Sequence, residues 1–84
     1  MKLVFSRHAW EDYQYWQKTD PQIVRRINAL IENIRRSPFK GIGKPEPLKN
    51  RLTGYWARRI DSEHRLVYRI EGESIYIVQA RYHY

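Results

Sequence analysis

Apolar residues recur at helical spacing in the first half of the chain. Between residues 21 and 36 they follow steps of three and four and form one continuous stripe: Ile23, Val24, Ile27, Leu30, Ile31 and Ile34. Asp20 is a favourable N-cap, Pro21 suits the first helical turn, and Ser37-Pro38 ends the pattern. A shorter stripe follows Ser6 and consists of Ala9, Trp10, Tyr13 and Trp16. The pattern therefore predicts one helix that begins after Ser6 and a second over residues 21–36.

The second half of the chain alternates between apolar and polar residues. Residues 37–47 hold three of the four prolines and two of the four glycines, which predicts a stiff loop. The alternation then predicts strands joined by short turns, at residues 48–52, 55–60, 65–70 and 75–82, with a further strand at residues 2–5. Short connections join antiparallel neighbours. We therefore expect one domain over residues 1–84, an α+β fold of order β-α-α-β-β-β-β with both helices on one face of an antiparallel sheet.

Alternation within the strands also divides the charged side chains between the two faces of the sheet. An antiparallel sheet commonly packs one face on the core and exposes the other. On this pattern we expect the uncovered face to collect Arg59, Arg65, Arg81 and His83. We assign the aromatic residues of the first helix, among them Tyr15, to the core or an interface and not to base stacking.

Composition narrows the class of partner. Sixteen Lys and Arg against nine Asp and Glu give the 84 residues a formal net charge of +7, which favours polyanions such as nucleic acid. Hydrophobic residues make up 42 %, too many for a disordered basic tail. The chain has no cysteine, which excludes disulfides, thiolate catalysis and thiolate zinc sites.

The composition and length of the sequence also predict whether the protein binds a cofactor, a membrane or a second copy of itself. The three histidines lack metal-ligand spacing, so we expect no metal and no cofactor. No apolar run approaches the roughly 18–20 residues of a membrane span, and no signal peptide is visible, so we expect a cytoplasmic protein without a membrane partner. Because a domain of this size is marginally stable alone, we also expect a homodimer or a tight partner.

One acidic residue stands out in the proline-rich loop. Glu46 lies between Pro45 and Pro47 and is flanked by Lys44 and Lys49. In the simplest interpretation Glu46 is a surface carboxylate without a specific function. The alternative is a general base that the prolines hold rigidly within a basic surface, although neighbouring cations weaken a carboxylate as a base.

The last residues supply the other candidate groups. His83, beside Arg81 and Tyr84, carries the side chain best able to exchange a proton near neutral pH, unless this end of the chain simply frays. Arg65 is either a solvated strand residue or a bidentate clamp for phosphate. A base, an acid and an arginine suffice to cleave RNA without a metal, because RNA carries its own nucleophile, the 2′-hydroxyl.

The sequence resembles the YoeB toxins of bacterial YefM–YoeB toxin–antitoxin modules, in the RelE-like superfamily. The most specific matches are Gly-Lys-Pro-Glu-Pro-Leu-Lys at residues 43–49 and Arg-Tyr-His-Tyr at residues 81–84. Further matches are Met1-Lys2-Leu3, Asp12-Tyr13, Tyr15-Trp16, Trp56, Arg58-Arg59-Ile60 and Glu63-His64-Arg65-Leu66-Val67-Tyr68. The resemblance covers the whole chain and implies a RelE-like fold.

The resemblance also implies an activity and partners. It implies a metal-independent, ribosome-dependent endoribonuclease, an mRNA interferase that inhibits translation by cutting mRNA in the A site of the 70S ribosome. Its products would carry a 2′,3′-cyclic phosphate and a 5′-hydroxyl. Implied partners are mRNA, the ribosome with its rRNA, a YefM-type antitoxin and a second copy of the chain.

Site residues carry over by position. Glu46 would be the general base, His83 the general acid and Arg65 the phosphate stabiliser, with Tyr84 assisting at the catalytic site. The expected substrate-binding residues are Lys44, Lys49, Arg59 and Arg81.

Two other functions remain open from the sequence. The first is a non-catalytic binder whose basic sheet blocks RNA or a ribosomal site. The second is a gyrase poison of the ParE-like type. The His83-Tyr84 ending and the loop acid Glu46 argue against the gyrase poison, because such toxins generally lack both.

Overall fold

A five-stranded sheet and two helices form the computed structural model, which describes all 84 residues. The elements in chain order are β1 (Lys2–Phe5), α1 (Arg7–Thr19), α2 (Pro21–Arg36), β2 (Glu46–Pro47), a 3-10 turn (Asn50–Leu52), β3 (Trp56–Arg59), β4 (Arg65–Glu71) and β5 (Ser74–Gln79). The α+β class is confirmed. The strands lie in the order β1-β5-β4-β3-β2, and β2 to β5 are successive antiparallel neighbours. Strand β1 runs parallel to β5, so the sheet is mixed.

Both helices begin where the sequence predicts. The Ser6 hydroxyl accepts the Ala9 backbone N–H at 3.1 Å, and the Asp20 carboxylate accepts the Gln22 N–H at 3.1 Å. Each bond satisfies a donor that the first helical turn would otherwise leave unpaired. The predicted span of α2, residues 21–36, is confirmed. Neither helix is long and apolar enough to cross a membrane.

Each face of the sheet carries its own apolar cluster. The helix-side core joins both helices to the strands and contains Ala9, Trp16, Ile27, Leu30, Ile34, Ile60, Leu66, Tyr68, Ile75, Ile77 and Ala80. A smaller cluster on the opposite face consists of Leu48, Ala57 and Val67. This opposite face, called the outer face below, is therefore only partly covered, by the segment that follows β2.

Two predicted strand boundaries are wrong. Residues 48–52 do not form a strand, because Asn50 takes a positive φ of 59° and residues 50–52 turn as a 3-10 helix. The strand predicted at residues 75–82 ends at Gln79. It also contains a bulge, since Val67 pairs with Gln79 while the next residue of β4, Tyr68, pairs with Ile77. The extra residue shifts the alternation, so that Ala80 turns into the helix-side core.

A buried arginine fastens the loop that leads to β2. Arg58 is fully buried on the helix side and donates to the Tyr68 hydroxyl, to the Asn33 side-chain oxygen and to the backbone carbonyls of Ser37, Lys40 and Ile42. These bonds satisfy the guanidinium without a carboxylate. At the end of the loop Gly43 has a φ of 81°, and its carbonyl accepts the Arg59 N–H at 2.7 Å. A Cβ at Gly43 would lie 2.7 Å from the Leu30 side chain, so glycine is required there.

Candidate active site

Side chains of α1 hold the segment that follows β5. The buried Asp12 carboxylate accepts the Ala80 N–H at 3.0 Å, and the Trp16 indole N–H donates to the Ala80 carbonyl at 2.8 Å. The Gln79 amide nitrogen then donates to the carbonyls of Arg81 at 2.8 Å and His83 at 3.0 Å. The last residues are thus fixed by side chains, although they have left the sheet.

Tyr82 turns this segment towards the other edge of the sheet. Its φ is 64°, a left-handed conformation that costs a bulky residue about 1–3 kcal/mol. Two hydrogen bonds hold it: its N–H donates to Nδ1 of the buried His64 at 2.7 Å, and its carbonyl accepts the Arg65 N–H at 3.0 Å. Because His64 accepts through Nδ1, its neutral ring carries the proton on Nε2. The conformation carries Tyr84 across to β2.

Glu46, His83 and Tyr84 form one contact chain on this side of the sheet. The Tyr84 hydroxyl donates to Oε1 of Glu46 at 2.9 Å. The His83 ring lies over the Tyr84 ring, with centroids 4.6 Å apart and an interplanar angle of 34°. Partial burial raises the pKa of Tyr84, and the hydrogen bond to Glu46 and its negative charge raise it further. Tyr84 therefore keeps its proton at neutral pH and remains a donor to the carboxylate.

Two arginines face each other beside this chain. Arg59 on β3 and Arg65 on β4 are directly paired residues, and the charges of both act on the Tyr84 hydroxyl by lowering its pKa. Like charges in a directly paired position repel each other. Arg65 is only 8 % exposed; its guanidinium donates to the carbonyls of Asp61 at 2.9 Å and His64 at 3.1 Å. Neither arginine has a carboxylate oxygen within 4.0 Å, so an anion bound here would relieve their repulsion.

A cleft of about 420 Å³ opens next to Glu46. Its lining residues are Glu46, Pro47, Leu48, Lys49, Asn50, Arg51, Leu52 and Tyr84. Lys49 therefore lies at the site, whereas Lys44 is exposed on the preceding loop and does not line the cleft. No group of three or more His, Asp or Glu side chains is placed to hold a metal ion.

The expectation for Arg81 is wrong in one respect. Its guanidinium carbon lies over the Tyr15 ring of α1, 3.5 Å from the ring centroid, and not on the outer face with Arg59 and Arg65. The reason is that β5 ends at Gln79. Side chains alternate between the two faces of a sheet only within a strand, so the pattern does not predict the direction of Arg81. Arg81 therefore stands apart from the Glu46–Tyr84 contact.

Sequence reasoning missed the residues that hold the terminal segment. Asp12, His64 and Gln79 were not identified, because their partners are backbone groups far away in the chain or within a turn. One signal was available for Asp12. It lies three residues after Ala9 and four before Trp16, so a carboxylate occupies the apolar stripe of α1, where a buried charge needs a partner.

The chain matches known proteins over its whole length. A family described as YoeB-like toxin of bacterial type II toxin-antitoxin system matches residues 5–84. Toxin YoeB of Escherichia coli strain K12 is 57 % identical over 84 residues, with 100 % of both chains covered. The solved YoeB/ParE toxin from Agrobacterium tumefaciens is 52 % identical and superimposes with a TM-score of 0.98, with 100 % of both chains covered.

A third relative has been solved in two assemblies. The YoeB dimer from Staphylococcus aureus has a TM-score of 0.94, and the heterotetrameric YoeB-YefM toxin-antitoxin complex from the same organism has a TM-score of 0.93. In both structures the matched chain is 48 % identical, and the match covers 100 % of this chain and 98 % of that one.

Proposed function

The chain belongs to the YoeB-like toxins of bacterial type II toxin–antitoxin systems, which confirms the resemblance in its sequence, and we propose that it is a ribosome-dependent endoribonuclease that cuts mRNA in the A site. The observation that carries the proposal is the contact of Glu46 with Tyr84 beside Arg59 and Arg65, two guanidinium groups without acidic partners. A carboxylate near guanidinium groups that have no acidic partner suits proton removal beside a phosphate.

The proposed reaction uses the 2′-hydroxyl of the RNA as nucleophile. The Glu46 carboxylate takes the proton of this hydroxyl, and the oxygen attacks the adjacent phosphorus to form a 2′,3′-cyclic phosphate. The bond from phosphorus to the 5′-oxygen breaks, and protonated His83 gives its proton to that oxygen, which leaves as a 5′-hydroxyl. Arg65 stabilises the charge that grows on the non-bridging phosphate oxygens. No metal takes part, and DNA is not cut because it lacks the hydroxyl.

The remaining residues of the site bind the RNA and orient the Glu46 carboxylate. Tyr84 fixes the Glu46 carboxylate through its hydrogen bond, and Arg59 shares the phosphate with Arg65. Lys49 in the cleft and Lys44 on the loop before it contact the RNA backbone as exposed cations. The net charge of +7 suits the ribosomal RNA that surrounds the message.

Partners of the chain are proposed from its relatives. Because a 48 % identical toxin forms a dimer and a complex with YefM, we propose that this chain forms a homodimer and binds a YefM-type antitoxin. An acidic antitoxin segment would complement its positive charge. Its place of action is the cytoplasm, where the ribosomes are.

Cleavage of ribosome-bound message by the purified protein tests the reaction. Primer extension maps new 5′ ends, and their chemistry is read from their need for phosphorylation before ligation. We expect Glu46→Gln and His83→Gln to lower the rate about 10²- to 10⁴-fold, the usual contribution of a positioned base or acid. The matched control is Glu73→Gln, an exposed glutamate in the turn before β5, and it should cleave at the wild-type rate.

Three outcomes would contradict the proposal. Wild-type rates in both variants would remove the assigned roles. Cleavage at a site where the message carries a single 2′-deoxyribose would exclude the 2′-hydroxyl as nucleophile. Arrest of translation without new 5′-hydroxyl ends would instead favour a non-catalytic inhibitor that occupies the ribosome.

A further inference from the structure

Arg81 lies between two tyrosine rings at the surface. Its guanidinium carbon is 3.5 Å from the Tyr15 ring centroid and 4.5 Å from the Tyr82 ring centroid. Both rings remain accessible, with exposures of 37 % and 55 %. Of the two places expected for Tyr15, the core does not describe this arrangement, and an interface stays a prediction. The three side chains are called the Arg81 shelf below.

The guanidinium N–H groups of Arg81 have no partner within the protein. Its guanidinium donates no hydrogen bond and has no carboxylate oxygen within 4.0 Å. Arg69 gives the matched contrast: it also lies over two tyrosine rings, at 4.4 Å from Tyr76 and 5.7 Å from Tyr55. Yet Arg69 donates to Glu71 at 3.2 Å and to the Tyr55 hydroxyl at 3.1 Å. Only the Arg81 shelf combines a planar cation with N–H groups that are free for a ligand.

Two buried side chains, Trp16 and His64, support the rings of the Arg81 shelf. Tyr15 meets the buried Trp16 ring edge-on at 5.0 Å, and Trp16 meets His64 edge-on at 4.8 Å. His64 in turn fixes Tyr82 in its left-handed conformation through the hydrogen bond to the Tyr82 N–H. A strained backbone held in place by its surroundings is characteristic of ligand sites. The rings are therefore ordered before any ligand arrives.

We propose that the Arg81 shelf binds one unpaired nucleotide of the RNA, next to the linkage that is cut. The base stacks on the exposed Tyr82 ring, and the free guanidinium edge of Arg81 contacts the phosphate of that nucleotide. Tyr82 directly precedes His83, so their Cα atoms are about 3.8 Å apart and the shelf adjoins the proposed general acid. The inference rests on the proposed function for its choice of ligand.

The chemistry of the shelf favours RNA over a protein partner. A single strand exposes π-faces and phosphates together, and aromatic rings with arginine recognise this combination in single-strand binding proteins. Because every base has a π-face, the shelf accepts any base. It adds affinity and register, and it does not set a sequence preference.

Binding of a short single-stranded RNA, measured by fluorescence anisotropy at low salt, tests the shelf without cleavage. The probe is a labelled ten-nucleotide RNA with 2′-O-methyl groups throughout, which cannot react, and a set of probes each with one abasic position. The variants are Arg81→Lys, which keeps the charge but loses the planar group, and Tyr82→Asn, which tolerates a positive φ without the ring. Arg69→Lys is the control.

We expect Tyr82→Asn to weaken binding about fivefold or more, because it removes the ring on which the base stacks. Arg81→Lys should also weaken binding, because it removes the planar N–H edge that contacts the phosphate. Arg69→Lys should bind within about twofold of the wild type. One abasic position should weaken binding to the wild type by a similar factor and leave Tyr82→Asn unaffected, since that variant has already lost the ring on which the base stacks. Unfolding midpoints verify that the variants are folded.

Several results would overturn the shelf. These are wild-type affinity in both shelf variants, an equal abasic effect in wild type and Tyr82→Asn, and no binding of RNA by the wild type. A loss of antitoxin binding or of self-association with RNA affinity intact would assign the shelf to a protein partner. The proposed function fails separately: if the wild type shows the abasic signature but never cleaves message, the shelf stands and the nuclease does not.

Discussion

Asp12 offers a test of how the terminal segment is held. Its carboxylate accepts the N–H of Ala80, which has no exposure to water, and no other acceptor is bonded to that N–H. Leucine is of similar size, so Asp12→Leu removes the acceptor without opening a large cavity. The Ala80 N–H is then buried without a partner.

The expected loss of stability follows from that single donor. An unsatisfied buried donor costs about 1–3 kcal/mol. Leucine is a better helix former than aspartate by up to about 0.5 kcal/mol, so we expect a net loss of about 1–2 kcal/mol. For a domain of this length each kcal/mol lowers the melting temperature by about 4–8 °C. The expected decrease for Asp12→Leu is therefore about 5–15 °C.

Urea unfolding and thermal melts measure the effect, and two variants control it. Asp12→Asn keeps an acceptor oxygen and should lose less than half as much free energy of unfolding. Glu11→Leu changes an exposed neighbour whose only partner is the exposed Arg7, and should stay within about 0.5 kcal/mol of the wild type. If Asp12→Leu unfolds within that same margin, the Asp12–Ala80 bond does not hold the segment and our account of it is wrong.

Two further predictions concern protons. Because burial and Glu46 raise the pKa of Tyr84, its ionisation should not limit cleavage below about pH 10; an alkaline limb below that pH that vanishes in Tyr84→Phe would refute this. Backbone N–H groups of His64 and Glu63 outweigh the opposing effect of burial and lower the pKa of Asp61. The folded pKa is then below the unfolded value of about 3.9, so this contribution to stability is present above that pH and lost as the pH falls through the folded pKa. Asp61→Asn should flatten the urea midpoint between pH 2 and 5, and an unchanged slope would contradict the assignment.

Local signals in the sequence were sufficient for the helices. The caps at Ser6 and Asp20 and the apolar stripe of α2 depend on residues within a few positions of each other, and each was placed correctly. The strands β3 and β4 were also found, because alternation persists where a strand is paired on both sides.

Long-range pairing was not visible in the pattern. The bulge opposite Val67 and Tyr68 depends on how β5 pairs with β4, and the parallel pairing of β1 with β5 joins the two ends of the chain. The segment after Pro47 alternates like a strand, but its pairing with the segment before β3 stops after the bond from the Leu48 N–H to the Tyr55 carbonyl, so the local turn at Asn50 prevails.

For the candidate site too, the sequence predicts which residues take part but not the long-range contacts between them. Residue type and the family resemblance were sufficient to select Glu46, Arg65 and His83 as candidates, because the acid–base properties and charge of a side chain follow from its type. The contact that joins Glu46 to the end of the chain could not be predicted, because it is a hydrogen bond from Tyr84, 38 positions away. Arg81 does not lie on the face that alternation predicts, because it follows Gln79, the last residue of β5.

The position of β5 has a consequence for the order in which the protein is completed. This strand is the last in the chain, yet it lies between β1 and β4 and joins the N-terminal strand to the rest of the sheet. Domains generally fold as units during synthesis, and contacts between distant segments form late. A nascent chain that still lacks β5 has no middle to its sheet and no contact between Glu46 and Tyr84, so the candidate site forms only when the sheet is complete.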